Sequence, residues 1–576
     1  MGEKTKNLTK KPKSKKKKKI FVEHKPIVIG GIVAVVAIAG IVSGIVLFTE
    51  EEKTGGDFIF GTAGALYVLD PLLFGSFETY AILENIAEPL FDYDFTSSSS
   101  SVIPNLVIDY EWSNNGLNLT CYLRKNVKFH DGTPFNATAV KWNFDRLYRL
   151  RDYIYFAMWL HPDGTPLLKF NETEVLDEYT IRFILNKPFV PLISLLGRGP
   201  NIVSPTSTPP NNFTDFNTGN LVGTGPFKHN STIRIWNPDL GYYVYYNTTL
   251  LPNRDYWGKK PKFDKIIIKS FDNHTLRKEA MINGEIHFTY SNPFEPDVYK
   301  NATAVTLLEQ IHTEINFITM DNSVINATMR KAISYALDYD RLIPYGKYFT
   351  GGTVNATRCK SPLSKGMLYS DWESFKIPEL NITKARQVLI DAKWSGTESL
   401  TANNIVGSGN DWEALVDDGN PLATYNFTYI VGSEWRTEVA WLFHNNLTQI
   451  GIDIRPVAAT WPTYFTIPTQ FIPIGWIPDY NDPNNNIQGI FSNTSFSNYG
   501  NINDAYLQQL MEDAVEETNE VLRAQLYYDI QQYLIEELYP LIWWYSPIIS
   551  SPISLRIKGY NQYNNWKLAW KEWFFA

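Results

Sequence analysis

Residues 475–486 read GWIPDYNDPNNN, with two carboxylates, Asp479 and Asp482, beside the rings of Trp476 and Tyr480. Pro478 and Pro483 stiffen the backbone between four asparagines. Residues of these types suit a calcium loop, the acid/base pair of a hydrolase, or one wall of a ligand cleft. A calcium loop opening at Asp479 would carry glycine at its sixth position and glutamate at its twelfth. Asn484 and Ile490 stand there, and the register from Asp482 gives Ile487 and Asn493. Spacing therefore removes calcium. A glycosidase pair needs carboxyls about 5 to 9 Å apart across a sugar, a distance that almost any local pair permits. As a cleft wall, Asp479 would need a cationic partner, because a buried carboxylate is costly unless paired. The plainer reading is that Asp479 caps the turn that follows it.

No second set of groups supports catalysis. His130 and Asp131 are adjacent in FHDGTPF, and neighbours in a strand point their side chains apart, which is poor geometry for a proton relay. Asp131-Gly132 suits a turn instead. The eight histidines show no His-x-x-x-His spacing and no cysteine cluster, so no zinc site is expected. There is no Gly-x-Ser-x-Gly elbow and no phosphate-binding glycine loop, and GTGPF reads as a turn. Neither a catalytic residue nor a cofactor nor a metal is expected. The two cysteines, Cys121 and Cys359, lie far apart in sequence, and Cys121 falls on the apolar side of an alternating strand. They are expected to be buried free thiols.

These groups have to be held by a mixture of strands and helices. YEWSNNGLNLTCYLRKNVKF predicts a hairpin whose Asn114-Asn115-Gly116 turn tolerates positive φ. YTIRFILNKP alternates Ile181, Phe183 and Leu185, and FDKIIIKSF predicts a strand buried on both faces. Further on, Met329, Ala332, Ile333 and Ala336 form one helical stripe. Leu507, Leu510, Met511 and Ala514 form another, behind Asp504 as N-cap. Leu522, Leu526, Ile530 and Leu534 continue at four-residue spacing towards Pro540. A chain of 576 residues exceeds a single core, so an α/β protein of more than one lobe is expected.

Charge and hydropathy place that body outside a membrane. Residues 1–26 are rich in lysine, with only Glu3 and Glu23 against them, so the rest is more acidic than the net −8 of the whole chain. Such a body lacks the basic face that nucleic acid requires. Ile27 to Phe48 is uncharged, and 22 residues at about 1.5 Å each span roughly 33 Å, enough for the hydrocarbon core. It ends in LFTEEEK without a small-x-small cleavage site, so an uncleaved signal anchor is expected, followed by a linker over 49–56. Lysines before the span and glutamates after it put the amino terminus in the cytoplasm and the body outside. Asn-x-Ser/Thr sequons recur from Asn118 to Asn493, which suggests heavy glycosylation. That combination suits an archaeal cell surface.

Six segments, in order, resemble the extracellular solute-binding proteins of family 5, the peptide- and nickel-type receptors of ABC importers. They are ALYVLDPLLFGSFETYAILENIAEPLFDYD, LRKNVKFHDGTPFNATAVKWNFDRL, GTGPFKH, NRDYWGKKPKFDKIIIKSF, MRKAISYALDYDRLI and GWIPDYNDPNN. One departure is Ala139, where the family usually has an acidic residue before the valine of its signature helix. The resemblance implies an α/β fold of the type II periplasmic-binding-protein kind, with two main lobes joined by a hinge and an inserted third subdomain. Lobe I would comprise residues 57–100, 221–310 and 546–576, the inserted lobe II 101–220, and lobe III 311–545. It further implies a receptor that captures oligopeptides by hinge closure and hands them to a permease, with no chemistry of its own. Asp479 would then accept hydrogen bonds from a peptide α-ammonium beside Trp476, with Tyr480 shaping the loop. Phe74 and Phe77 would lie where family members contact the ligand backbone. Oligosaccharides, suited to the abundant aromatics, are the alternative ligand within the family. Nickel chelates fit less well, and a surface hydrolase or a structural surface protein is the reading from outside it.

Overall fold

The computed structural model describes residues 54–576, except 64–69, 73–76, 95–100, 153, 170–172, 212–220, 238–241, 272, 291–298, 300, 312–313, 349–355, 404–410, 432–433, 461–462 and 561–567. The basic tail, the apolar run 27–48 and Phe74 thus lie outside the described residues. Among the described residues no helix is long and apolar enough to cross a membrane.

Alternating Phe58 and Phe60, both fully buried, make Asp57–Ala63 a strand with one face in a core. It pairs in parallel with Lys265–Phe271, from Asp57 opposite Lys265 to Ala63 opposite Phe271. That partner buries Ile266 and Ile268, while Ile267 is only half-buried, so one of its faces is less enclosed than a continuous apolar run predicts. The two strands lie within a ten-stranded sheet that also holds the antiparallel hairpin Phe227–Asn237 and Tyr242–Pro252. Its longest strand, Leu541–Ser554, pairs with Ile315–Thr319, Ala356–Arg358 and Val305–Ile311 in turn, and with Phe288–Thr289 near its end. Pro473–Trp476 closes this sheet at the edge beyond Ile315–Thr319.

A separate four-stranded sheet holds the hairpin Val107–Ser113 and Asn118–Leu123 with Thr180–Ile184 and Glu174–Asp177. Its turn has Asn114 and Asn115 at φ 52° and 53° and Gly116 at 82°, as the Asn-Asn-Gly signal predicts. The helix Ala137–Arg149 covers it, burying Val140, Phe144 and Leu147 against Leu119, Cys121 and Phe183. A third core forms where the parallel strands Ala423–Ile430 and Ile452–Ala459 meet the helices Ala327–Ala336 and Glu434–Thr448. Met329, Ala332, Ile333 and Ala336 are all fully buried there. A fourth gathers Leu507, Leu510, Met511 and Ala514 with Ile530 and Leu534. Leu522, expected on the same stripe, is exposed. Cys121 and Cys359 are free and buried, as expected.

Several of the recognised segments meet at buried carboxylates that hold the framework. Asp70, in the Leu-Asp-Pro turn, is paired with Arg146 at 2.6 Å, both buried. Glu88 accepts from Tyr256 Oη (2.6 Å), Trp257 Nε1 (3.0 Å) and Thr224 Oγ1 (2.8 Å), so AEPLF, NRDYW and GTGPF converge on one side chain. At Gly223 the chain crosses the end of helix Phe77–Ile86 so closely that a Cβ would stand 2.2 Å from the Ile86 carbonyl oxygen. GTGPF is thus a close backbone crossing rather than an exposed turn.

His130 and Asp131 serve structure as well. His130 Nε2 meets the Gly225 carbonyl at 2.9 Å, and burial pushes its pKa down to about 4. Burial works to raise Asp131, but hydrogen bonds from Ser204, Thr133 and Ser207 hold it down at about 2. The two side chains thus turn to different partners.

Candidate ligand-binding site

The segment 475–486 folds as the end of an edge strand running into the amino end of a helix. Its second half, read from sequence as a turn, opens the helix Pro483–Phe491, with Asp482 as N-cap accepting from Asn484 N (2.9 Å) and Pro483 in the first turn. Asp482 is buried, and Arg523 Nη2 donates to both its oxygens, at 2.8 and 3.0 Å. This carboxylate is therefore spent on anchoring.

Each asparagine after it has a partner. Asn484 Nδ2 donates to Tyr480 Oη (2.9 Å) and Gln488 Oε1 (2.8 Å), and Asn486 Nδ2 donates to the Pro362 carbonyl (2.9 Å). Asn485 Oδ1 accepts from the backbone N–H of Asp479 at 2.9 Å. The helix thus fixes Asp479 in place, and its N-cap is Asp482.

Asp479 lines a cavity of about 660 Å³. Its lining includes Trp476, Ile477, Tyr480 and, from the helix Pro483–Phe491, Asn484, Asn485, Gln488 and Gly489; a second segment contributes Phe156, Ala157, Met158 and Leu160. These facing segments are sealed together by hydrogen bonds to backbone. Gln488 Nε2 donates to Leu160 O (2.7 Å), Ser492 Oγ and Thr494 Oγ1 to Pro162 O (2.8 and 2.9 Å), and Val190 N to Val515 O (2.7 Å). Tyr480 is buried in the core of the four-stranded sheet, which closes the same seam. Tyr93 Oη adds a bridge, accepting from Asn481 N (3.3 Å) and donating to Ser194 O (2.7 Å).

Burial raises the Asp479 carboxyl to about 6, against the lowering effects of Arg198's charge and the hydrogen bond from Asn485. Arg198 also faces Glu84 at 4.0 Å, so its charge is shared between two carboxylates. The sign of the consequence follows from linkage. In the folded free protein the carboxyl holds its proton more tightly than in the unfolded chain, so ionising it costs folding free energy that a bound cation returns. Affinity for a cationic ligand should therefore be full above about pH 6 and fall as pH drops through that value, by up to about tenfold per unit. Calorimetric titration from about pH 5 to 8 checks this; a flat profile would show that no ionised Asp479 is involved.

Trp476 stands on the same wall, packed so that a Cβ at Gly489 would lie 2.3 Å from its ring. Its indole N–H is buried and meets no acceptor among the described residues. Trp476, Asp479 and Tyr480 are thus brought together around one cavity. Phe77 opens the helix Phe77–Ile86, with its side chain outside the described residues. Of the tryptophans elsewhere in the chain, Trp394 packs against the third core, whereas Trp461 and the side chain of Trp435 lie outside the described residues. The wall from Phe156 to Leu160 carries no motif in the sequence and was not anticipated. Among the described residues no cluster of histidine, cysteine or carboxylate groups could hold a metal.

The fold and this cavity define a solute-binding protein of α/β type. Residues 101–498 match the family model for bacterial extracellular solute-binding proteins, family 5 (middle). The chain belongs to that family, whose members bind solutes and are not enzymes. It is similar to the probable D,D-dipeptide-binding periplasmic protein DdpA of Escherichia coli, 24% identical over 83% of this chain and 86% of that one. It is also similar to heme-binding protein A of Haemophilus influenzae, 25% identical over 89% and 91%. Among solved structures, it shares its fold with the periplasmic binding protein DppA of Helicobacter pylori in complex with the peptide STSA. The TM-score is 0.69 at 21% identity, covering 91% of this chain and 98% of that one.

Proposed function

We propose that this chain is a membrane-anchored receptor that captures oligopeptides outside the cell and delivers them to an ABC importer. The observation that carries the reading is Asp479: a single enclosed carboxyl, fixed by Asn485, on the wall of a cavity that can hold a ligand. A peptide α-ammonium supplies positive charge beyond the Arg198 charge that Asp479 shares with Glu84, and Trp476 Nε1 offers a donor to the adjoining carbonyl. Dipeptide- and peptide-binding relatives support the ligand class.

In this reading lobe I comprises 57–100, 221–310 and 546–576, lobe II 101–220 and lobe III 311–545, with closure about a hinge. Ile27–Phe48 is the anchor, and exposed sequons carry glycans. The sequon density has a second physical source, however. Asn136, Asn273, Asn326 and Asn381 are helix N-caps, each accepting a backbone N–H with its side-chain oxygen. Asn446 is buried and holds the Asp338 N–H, so it should stay unmodified.

Mass spectrometry of the full chain, extracted in detergent from its own membranes, tests these points together. Co-purifying peptides and modified Asn273 or Asn326 peptides are expected. A bound glycan chain in place of peptide would move the ligand class to oligosaccharide, and turnover of added peptide would end the receptor reading. Recovery without detergent would end the anchor.

A further inference from the structure

The cavity beside Asp479 is larger than an ammonium needs, and its surface is divided by chemistry. Phe156, Met158 and Leu160 face Trp476, Ile477 and Phe496 across it. Its polar groups are mostly committed to protein partners. The amides of Asn484 and Gln488 bond Tyr480 and Leu160, and Asn485 holds Asp479. Thr494 and Ser495 hydroxyls donate to the carbonyls of Pro162 and Gly489. A polar side chain entering here would lose water and gain little, whereas an apolar one loses nothing that must be replaced. Charge at the mouth does not select, since the exposed Arg151 and Asp152 there are of opposite sign. Phe496 is 55% exposed although it lines the cavity, so its ring offers apolar surface for an occupant to cover.

We propose that this cavity is a side-chain pocket that selects ligands bearing a large apolar or aromatic group next to their cationic end. Phe156, Met158 and Phe496 are its specificity-determining residues. The inference rests on Asp479 holding the ligand's ammonium. It makes residues 156–160, carried by the four-stranded-sheet part of the chain, a wall of the binding site and not merely core. An aromatic ring slides between Phe156 and Phe496 while the ammonium reaches Asp479 at the base.

The test is calorimetry on the full chain in detergent with Phe-Ala-Ala, Leu-Ala-Ala, Ala-Ala-Ala, Asp-Ala-Ala and Lys-Ala-Ala, and with N-acetyl-Phe-Ala-Ala. Phe-Ala-Ala and Leu-Ala-Ala should bind at least about tenfold more tightly than the other free peptides, the gain expected from burying one large apolar side chain. Phe496→Ala, at an exposed position, should shrink the Phe-to-Ala preference to within about threefold, chiefly by weakening Phe-Ala-Ala. Equal affinities for all first residues would overturn the pocket while leaving the receptor reading intact. Tight binding of the acetylated peptide would overturn the ammonium contact, and the pocket assignment with it. Failure of every peptide to bind would overturn both.

Discussion

Asp479→Asn should lower the affinity for a free-amine peptide by about 3 kcal/mol, roughly 100-fold, without unfolding the protein. The two readouts separate because the carboxyl has opposite effects in the free and bound states. In the free protein its desolvation outweighs the help of Arg198 and Asn485, so it stays protonated up to about pH 6. An amide of the same shape removes that cost, and the thermal midpoint of the free protein should hold steady or rise slightly. With ligand bound, the same change deletes a charge-assisted hydrogen bond inside an enclosed cavity. The ligand-induced rise in midpoint should therefore collapse at neutral pH, and the pH dependence of affinity should flatten. A variant that binds as well as the native chain would show that Asp479 does not contact the ligand.

Arg523→Met should cost stability on the order of 3–5 kcal/mol, because it leaves the buried Asp482 carboxylate with its strongest partner gone. Asp482 caps the helix Pro483–Phe491, and Arg523 Nε also ties the Ala514 carbonyl at 3.0 Å. The loss falls on the helix that positions Asp479, so ligand affinity should drop as well. Arg523→Met combined with Asp482→Asn should recover much of the stability, since removing both charges spares the uncompensated one while the amide retains the cap. Denaturant unfolding of the native chain and the two variants checks the order. A single variant as stable as the native chain would mean the pair contributes no net stability.

Much of the scaffold was legible in local patterns, because those patterns have local causes. The stripe from Met329 to Ala336 and the Asn114-Asn115-Gly116 turn depend on residues within one or two turns of each other, and both formed as expected. The two aspartates looked alike in sequence and differ in space. Asp482 is followed by proline, the N-cap and first-turn pairing that opens a helix, so its structural role was written there, although the stretch reads as a turn. Its partner Arg523 lies 41 residues on, beyond any local pattern. The wall opposite Asp479 was hidden for the same reason, since Leu160 and Gln488 are 328 residues apart. Sequons carry two messages at once: Asn-x-Thr before an apolar stripe is also what a capped helix looks like.

The long strand Leu541–Ser554 runs through several parts of the ten-stranded sheet. Up to Tyr545 it is stitched to Ile315–Thr319, and from Ile548 onward to Val305–Ile311. Between these zones Ala356–Arg358 pairs with Tyr545–Pro547, and Pro547 brings no N–H to the ladder. The seam from Leu160 to Thr494, by contrast, is tied by bonds to backbone and filled by Tyr480. The strand thus changes partner along its length, whereas the two walls of the Asp479 cavity are bonded directly to one another. If lobes II and III part on opening, the bonds from Gln488, Ser492 and Thr494 to Leu160 and Pro162 are the ones that must break, so the contacts that wall the cavity are also the latch of the closed form.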